Sequence, residues 1–358
     1  MVKSRTLLCA ALAIVVFATL GTAQLTSSLK AGKADLQSAG PLAFAPEGIL
    51  LVGDSMGGAI FAIDTQDRTA STATSVDIKG VGEKVAAMLG TTADQIMVND
   101  MAVNPISHKI YLSISRGRGP TATPVIVRMD TAGKLEELTL DNVRHSKAML
   151  PNAATGARQR PESITDLAFV DNQVIVAGLS SEEFSSNLRS IPFPFQNVSK
   201  GSSIEIWHGS HGRFETNSPV RTFVPYQYKS EQLILAAYTC TPLVKFPLKQ
   251  LQPGSKVQGT TIAEMGAGNR PIDMIVYNKG GHDYLLMSNN SLGVTKMSTE
   301  NLETYKSITS PIAGKAGVPY ETLDLKGVEQ LDKLDNNTAV VLQKSATGSI
   351  EIRSIALP

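Results

Sequence analysis

Apolar positions along this chain come in short runs, and the runs recur in sets of three. Stretches with apolar residues three and four apart, which mark amphipathic helices, are nearly missing. Runs of three to six Val, Ile, Leu, Phe and Met residues, bounded by Gly, Pro, Asn and Asp, predict β-strands instead. The clearest set is 42–44, the turn Ala45-Pro46-Glu47-Gly48, then 49–52, a small polar loop from Gly53 to Gly58, and 59–64. Further sets are predicted at 101–103, 110–114 and 124–130; at 167–169, 173–177 and 203–207; at 222–224, 233–237 and 243–246; at 274–276, 284–287 and 293–297; and at 328–331, 339–342 and 349–352.

The sets start roughly 51–66 residues apart, which leaves room for a fourth strand in each. Residues 74–78 and 260–264 are candidates for such strands. One small sheet cannot bury two apolar faces, so repeated four-stranded units point to a ring of blades. The expected fold is all-β, a six-bladed β-propeller with four-stranded antiparallel blades. Seven blades and a pair of β-sandwiches are the alternatives. The sixth set has no fourth strand after it. An N-terminal strand from Ser27 to Leu36 is expected to close the ring and remove its open edges.

With this repeat, the chain resembles the secreted six-bladed propellers of the gluconolactonase/NHL/TolB-like type. The strand-turn-strand units carry the resemblance, which covers almost the whole of 24–358 as a pattern. Export fits the N-terminus. Lys3 and Arg5 precede an uncharged run from Leu7 to Leu20, and Gly21-Thr22-Ala23 offers small residues for cleavage before Gln24. Residues 1–23 therefore read as a signal peptide and 24–358 as a single propeller domain, secreted or periplasmic. No later run approaches the ~18 apolar residues of a transmembrane helix.

Composition narrows the function classes. The 358 residues carry 33 Lys and Arg against 32 Asp and Glu, so a dedicated nucleic-acid partner is not expected. Removing the leader takes Cys9 with it and leaves Cys240 without an intrachain partner, so burial rather than disulfides must stabilise the fold. No CxxCH motif is present for haem.

Three units carry Asp just before the innermost strand: Asn99-Asp100-Met101, Thr165-Asp166-Leu167 and Ile272-Asp273-Met274. Radial repetition should bring them to one funnel, where clustered carboxylates need a cation or hydrogen-bond donors. Oxygen-rich sites favour Ca²⁺ or another hard divalent cation. Asp100, Asp166, Asp273 and Asn99 are the candidate ligands, against the plainer reading that each Asp caps its own turn. The resemblance adds that lactonase-like propellers hold a divalent cation at the axis with acidic and Asn ligands. Asn99-Asp100 is similar to one such element. Pro46-Glu47-Gly48 is similar to another, but it follows the first strand, which places Glu47 at the opposite end.

Other candidates lie in loops. Arg116 and Arg118, with Arg158 and Arg160, would make a basic zone on the face that holds the strand-opening loops. The long segment from Leu179 to Gly201, with Glu182 and Glu183, reads as a lid or partner-binding arm. Asn289 would add an oxygen. His208 and His211 share a glycine-rich turn, read as a surface turn or a paired metal site. Gly53-Asp54-Ser55-Met56-Gly57 matches the hydrolase pattern GxSxG but precedes a strand, so a hairpin is expected there rather than a nucleophile elbow. Residues 80–89 predict a short helix.

These readings give an exported propeller that binds a small molecule or an exported partner protein on its top face, around a divalent cation. The alternatives are a metal-dependent lactonase or esterase, with Asp100 or Asp273 activating water, and an accessory scaffold for another exported enzyme. The leader predicts Gln24 at the mature N-terminus. Intact-mass measurement of the exported chain checks this, and an exported chain that retains residues 1–23 would overturn it.

Overall fold

The computed structural model describes residues 24–358, and the expected signal peptide lies outside the described residues. Six sheets stand around an axis as the blades of a propeller. The first blade holds Leu42–Ala45, Ile49–Asp54 and Ala59–Asp64. The second holds Ile96–Val103, Ile110–Arg116, Thr123–Met129 and Leu135–Glu137. The third is Asp166–Val170, Gln173–Leu179, Ser186–Pro192 and Ser202–His208, with Arg213–Glu215 at its rim. The fourth is Thr222–Tyr228, Glu231–Ala237, Pro242–Pro247 and Thr260–Glu264. The fifth is Pro271–Lys279, His282–Asn289, Gly293–Ser298 and Glu321–Leu323. The sixth is Val328–Lys333, Thr338–Lys344 and Ile350–Ala356.

Tight turns explain the hairpins. Asp171-Asn172 and Gly280-Gly281 both take positive φ at two successive residues, the geometry that matches the twist of the flanking strands. Gly53 to Gly58 is likewise a hairpin turn, as expected, because Ala59–Asp64 pairs straight back onto Ile49–Asp54.

Closure differs from the expectation. Asp77–Ile78, not the 27–36 segment, is the fourth strand of the sixth blade, paired with Ile350–Ala356. The first blade gets its fourth strand from Val143–Met149, a segment outside every predicted strand set. Lys30–Gly32 adds to that strand at the rim. The chain thus leaves the first blade after three strands, latches the sixth, and forms the helix Val81–Met88. It then builds the second blade and returns to finish the first.

The ring order follows from this detour. Leu51 and Ile60 of the first blade pack with Val174 and Val176 of the third, and Leu50 and Phe61 with Tyr111 and Ile126 of the second. Leu112 and Val127 of the second pack with Val340 and Leu342 of the sixth. Around the axis the blades run second, first, third, fourth, fifth, sixth. The third unit also differs, because Ser186–Pro192 is a strand within the expected lid. Phe193 beyond it is buried and stacks edge-on against Phe169 and Phe195, so this segment is blade and core rather than a free arm.

Among the described residues, no helix is long and apolar enough to cross a membrane. Closure rests on little chain, and Ile78 is the buried residue of its two-residue strand. Ile78→Ala is expected to cost about 2–4 kcal/mol in urea unfolding, the range for a buried Ile truncation. A loss under about 0.5 kcal/mol would show that the latch does not hold the ring.

Candidate functional site

The innermost strands surround a cavity of about 640 Å³ on the axis. Its lining begins at Asp100, Asp166 and Asp273 and runs along the strands to Pro105, Asn278 and Asn336, beside the hairpins that join first to second strands. Phe44, Phe169, Phe223, Tyr226 and Tyr277 stand among its lining residues, together with the charged Asp283 and Lys333. The cavity therefore extends from the carboxylates toward the face opposite the strand-opening loops.

Three predicted aspartates do converge, and a fourth, Asp332, joins them. Each uses its two oxygens in the same way. One accepts the backbone N–H of the next residue: Met101 at 2.8 Å for Asp100, Leu167 at 2.7 Å for Asp166, Met274 at 2.8 Å for Asp273 and Lys333 at 2.7 Å for Asp332. The other accepts a backbone N–H from the neighbouring blade. Leu42 donates to Asp100 at 2.6 Å, Phe223 to Asp166 at 2.7 Å, Leu331 to Asp273 at 2.8 Å and Val103 to Asp332 at 2.7 Å. Every bond points the same way round the ring, so each Asp caps its own strand and staples the next blade.

Gln330 links two of them. With its amide nitrogen turned inward it donates to Asp100 Oδ1 at 2.8 Å and to Asp273 Oδ2 at 3.0 Å. The carboxylates border the cavity but sit deep among protein atoms. Burial pushes Asp166 up to about 7, against the opposing pull of the Phe223 and Leu167 N–H groups. It pushes Asp332 up to about 6, against Val103 and Lys333. Asp100 and Asp273 lie well above the usual carboxylate range, through burial first. The charge of Asp166 adds to this at Asp100, and that of Asp100 at Asp273. Two such neighbours do not both ionise easily, so they titrate as a pair.

The other predicted residues lie elsewhere. Asn99 turns its amide away, donating to Ala39 O at 2.7 Å and Ser115 Oγ at 2.9 Å. Asn289 is buried inside the fifth blade, bonded to Asn269, Met287, Gly293 and Thr295, and has no place on the axis. Arg116 and Arg118 reach the backbone carbonyls of Leu89 and Asp94, bracing the loop around the helix. Arg160 does the same for Met56 and Ala154. Glu182 accepts from Asn152 at 2.6 Å, and Glu183 pairs with Lys256 at 3.7 Å. Glu47 accepts from Leu25 and Thr26 and anchors the N-terminal segment off the axis.

Asp332 and Gln330 escape the sequence reading because the other three aspartates stand before their apolar residue. In Gln330-Leu331-Asp332 the Asp follows it, near the end of its strand.

No protein-family model and no curated protein matches the sequence. Solved structures are similar only at low values. They include a proposed oxidoreductase (glucose dehydrogenase) from Thermus thermophilus, at 12% identity and TM-score 0.37, covering 91% of this chain and 100% of that one. The PQQ-bound aldose sugar dehydrogenase of Streptomyces coelicolor has 12% identity and TM-score 0.37, covering 92% and 96%. The extracellular domain of a one-component system from B. thetaiotaomicron has 10% identity and TM-score 0.33, covering 90% of this chain and 39% of that one. At the level of architecture this chain is a six-bladed propeller.

The raised carboxyls set a pH dependence. Their folded pKa values exceed the unfolded value of about 3.9, so their contribution is full below pH ~4 and is lost as pH rises through about 6 for Asp332 and 7 for Asp166. Unfolding free energy is expected to fall by ~1–2 kcal/mol between pH 5 and 8, after discounting for contact with channel water. Asp166→Asn should flatten the upper part of that fall. A stability that rises across this range, measured by urea titration at each pH, would overturn the assignment.

Proposed function

We propose that this chain is an exported ligand-binding propeller whose axial cavity takes a small, positively charged ligand. The observation that carries this is the arrangement of Asp100, Asp166, Asp273 and Asp332 at one cavity that aromatic side chains also line. Backbone N–H groups satisfy one acceptor position on each carboxylate oxygen, Gln330 takes a second on Asp100 Oδ1 and Asp273 Oδ2, and the other oxygens keep lone pairs for the cavity. An acidic floor favours a cation, and aromatic walls favour one carrying apolar surface, such as an organic amine. A hydrated divalent cation is the smaller ligand of the same charge class, and Ca²⁺ suits all-oxygen ligands. Binding draws protons off the raised carboxyls, so affinity should increase with pH. Export is supported by the leader pattern of residues 1–23.

A second reading, hydrolysis of an ester or lactone in the same cavity, is favoured by one feature. Asp166, held near 7, is poised as a general base. A panel of lactones and esters, with Asp166→Asn as control, tests it.

Calorimetric titration with Ca²⁺, Mg²⁺ and small aliphatic and aromatic amines tests the leading reading. At least one cation should bind with an affinity that grows from pH 6 to 8. Asp100→Asn with Asp273→Asn should weaken it at least tenfold. Binding unchanged in that folded double variant, or no binding by any member of the panel, would overturn the axial site.

A further inference from the structure

A second cluster lies away from the axis, where the third and fourth blades meet. Ser202–His208 ends at His208 and turns through Gly209–His211. Across the seam, Cys240 sits in the hairpin between Glu231–Ala237 and Pro242–Pro247. One ring nitrogen of His208, one of His211 and the Cys240 Sγ lie within 4.8 Å of one another. The two imidazoles face each other at 3.9 Å between centroids. Glu215 holds both rings, bonded to His208 Nδ1 at 2.8 Å and to His211 Nδ1 at 2.7 Å. That leaves Nε2 as the free nitrogen of each ring. His208 is 2% exposed, and its Nε2 has no hydrogen-bond partner. An unpartnered buried nitrogen is costly, and a bound metal removes the cost.

We propose that His208, His211 and Cys240 hold one thiophilic transition-metal ion of the zinc/copper class, with a fourth coordination position open to solvent. Two imidazoles and a thiolate are the donors such ions select, whereas Ca²⁺ and Mg²⁺ take oxygen. Glu215 supplies the outer carboxylate that fixes ring orientation in histidine metal sites. Ser218 Oγ also donates to Glu215, at 2.5 Å, so the carboxylate is held from a third side. The site is reachable, since the His211 side chain is 42% exposed and Cys240 is partly exposed.

Metal bonds of about 2.0–2.3 Å require the donor atoms to stand about 3.3–3.8 Å apart. The cluster must therefore close by roughly 1 Å from its present outer limit of 4.8 Å. The parts that move are a three-residue turn and a hairpin tip. The tip is tied at its base, where the Cys240 N–H donates to Asn269 O at 2.7 Å. Binding converts the Cys240 thiol to thiolate and releases its proton to solvent. The fourth position is the natural place for a water molecule. Buried Glu264 braces the turn itself, accepting the Gly209 N–H at 2.5 Å through one oxygen.

The test uses purified protein stripped with chelator and titrated with Co²⁺ as a spectroscopic probe. One equivalent should bind and give a near-ultraviolet thiolate-to-cobalt band. Zn²⁺ or Cu²⁺ should displace it, while excess Ca²⁺ and Mg²⁺ should not. A strong visible thiolate-to-copper band with Cu²⁺ would assign the copper side of the class, and tighter retention of Zn²⁺ the zinc side. Cys240→Ser should abolish the cobalt band, and His211→Ala should weaken binding at least tenfold. Both positions are partly exposed, and circular dichroism checks that the variants fold. Asp100→Asn should leave the band unchanged, which separates this site from the axial one. Cobalt binding without a thiolate band, or unchanged affinity in folded Cys240→Ser, would overturn the proposal.

Discussion

The second and third strands of the first blade, Ile49–Asp54 and Ala59–Asp64, are buried at every position. A sheet with two apolar faces cannot stand in water alone. Each blade exists because two neighbours cover it, and the ring exists because it closes. All five apolar clusters accordingly mix residues from adjacent blades rather than filling one sheet. Closure then carries unusual weight on few residues. Asp77–Ile78 ties an early segment to Ile350–Ala356, and Val143–Met149 returns across the whole second blade to finish the first.

The aspartate belt is the polar counterpart of that constraint. Each inner strand has no sheet partner on the axis side, so the N–H groups of Leu42, Val103, Phe223 and Leu331 take side-chain acceptors instead of a ladder partner. A carboxylate that caps its own strand and also accepts from the next blade satisfies both groups with one side chain. This arrangement buries the four carboxyls along a partly dry channel, which raises their pKa values, and like charge adds to the rise at Asp100 and Asp273. The residues that hold the ring together thereby also create its acidic cavity. The seam between the third and fourth blades works differently. There two imidazoles share Glu215, and a thiol from the opposite blade completes the group.

Much of the fold was legible in the chain. Runs such as Ile49 to Val52 and Leu233 to Ala237 can only be strands buried on both faces, and their spacing gives six units. The Gly53 to Gly58 turn and the helix over Val81–Met88 were readable from local chemistry alone. Among the outer strands, Thr260–Glu264 was legible and Val143–Met149 was not. Val143–Met149 carries Arg144, His145, Ser146 and Lys147, and only its ends are apolar. Outer strands need little hydrophobicity because one edge meets solvent, so they resemble loops. Ser186–Pro192 hid for a different reason: it is paired on both sides, and its buried Asn187 and Arg189 break the apolar pattern.

Candidate chemistry divides along the same line. Asp100, Asp166 and Asp273 were visible because radial repetition turns a recurring position in sequence into a shared position in space. Asn289 shows the limit: an asparagine near a strand end reads alike whether it faces the axis or binds its own blade. Cys240 could be placed in a strand-rich segment, but no histidine stands near it in the chain. The blade count and the first two strands of each blade belong to the sequence, since burial on two faces is a local pattern. Which blades are neighbours, which strand closes the ring, and that Cys240 meets His208 and His211 were decided by tertiary structure. Those are contacts between distant segments, chosen by how whole sheets cover one another.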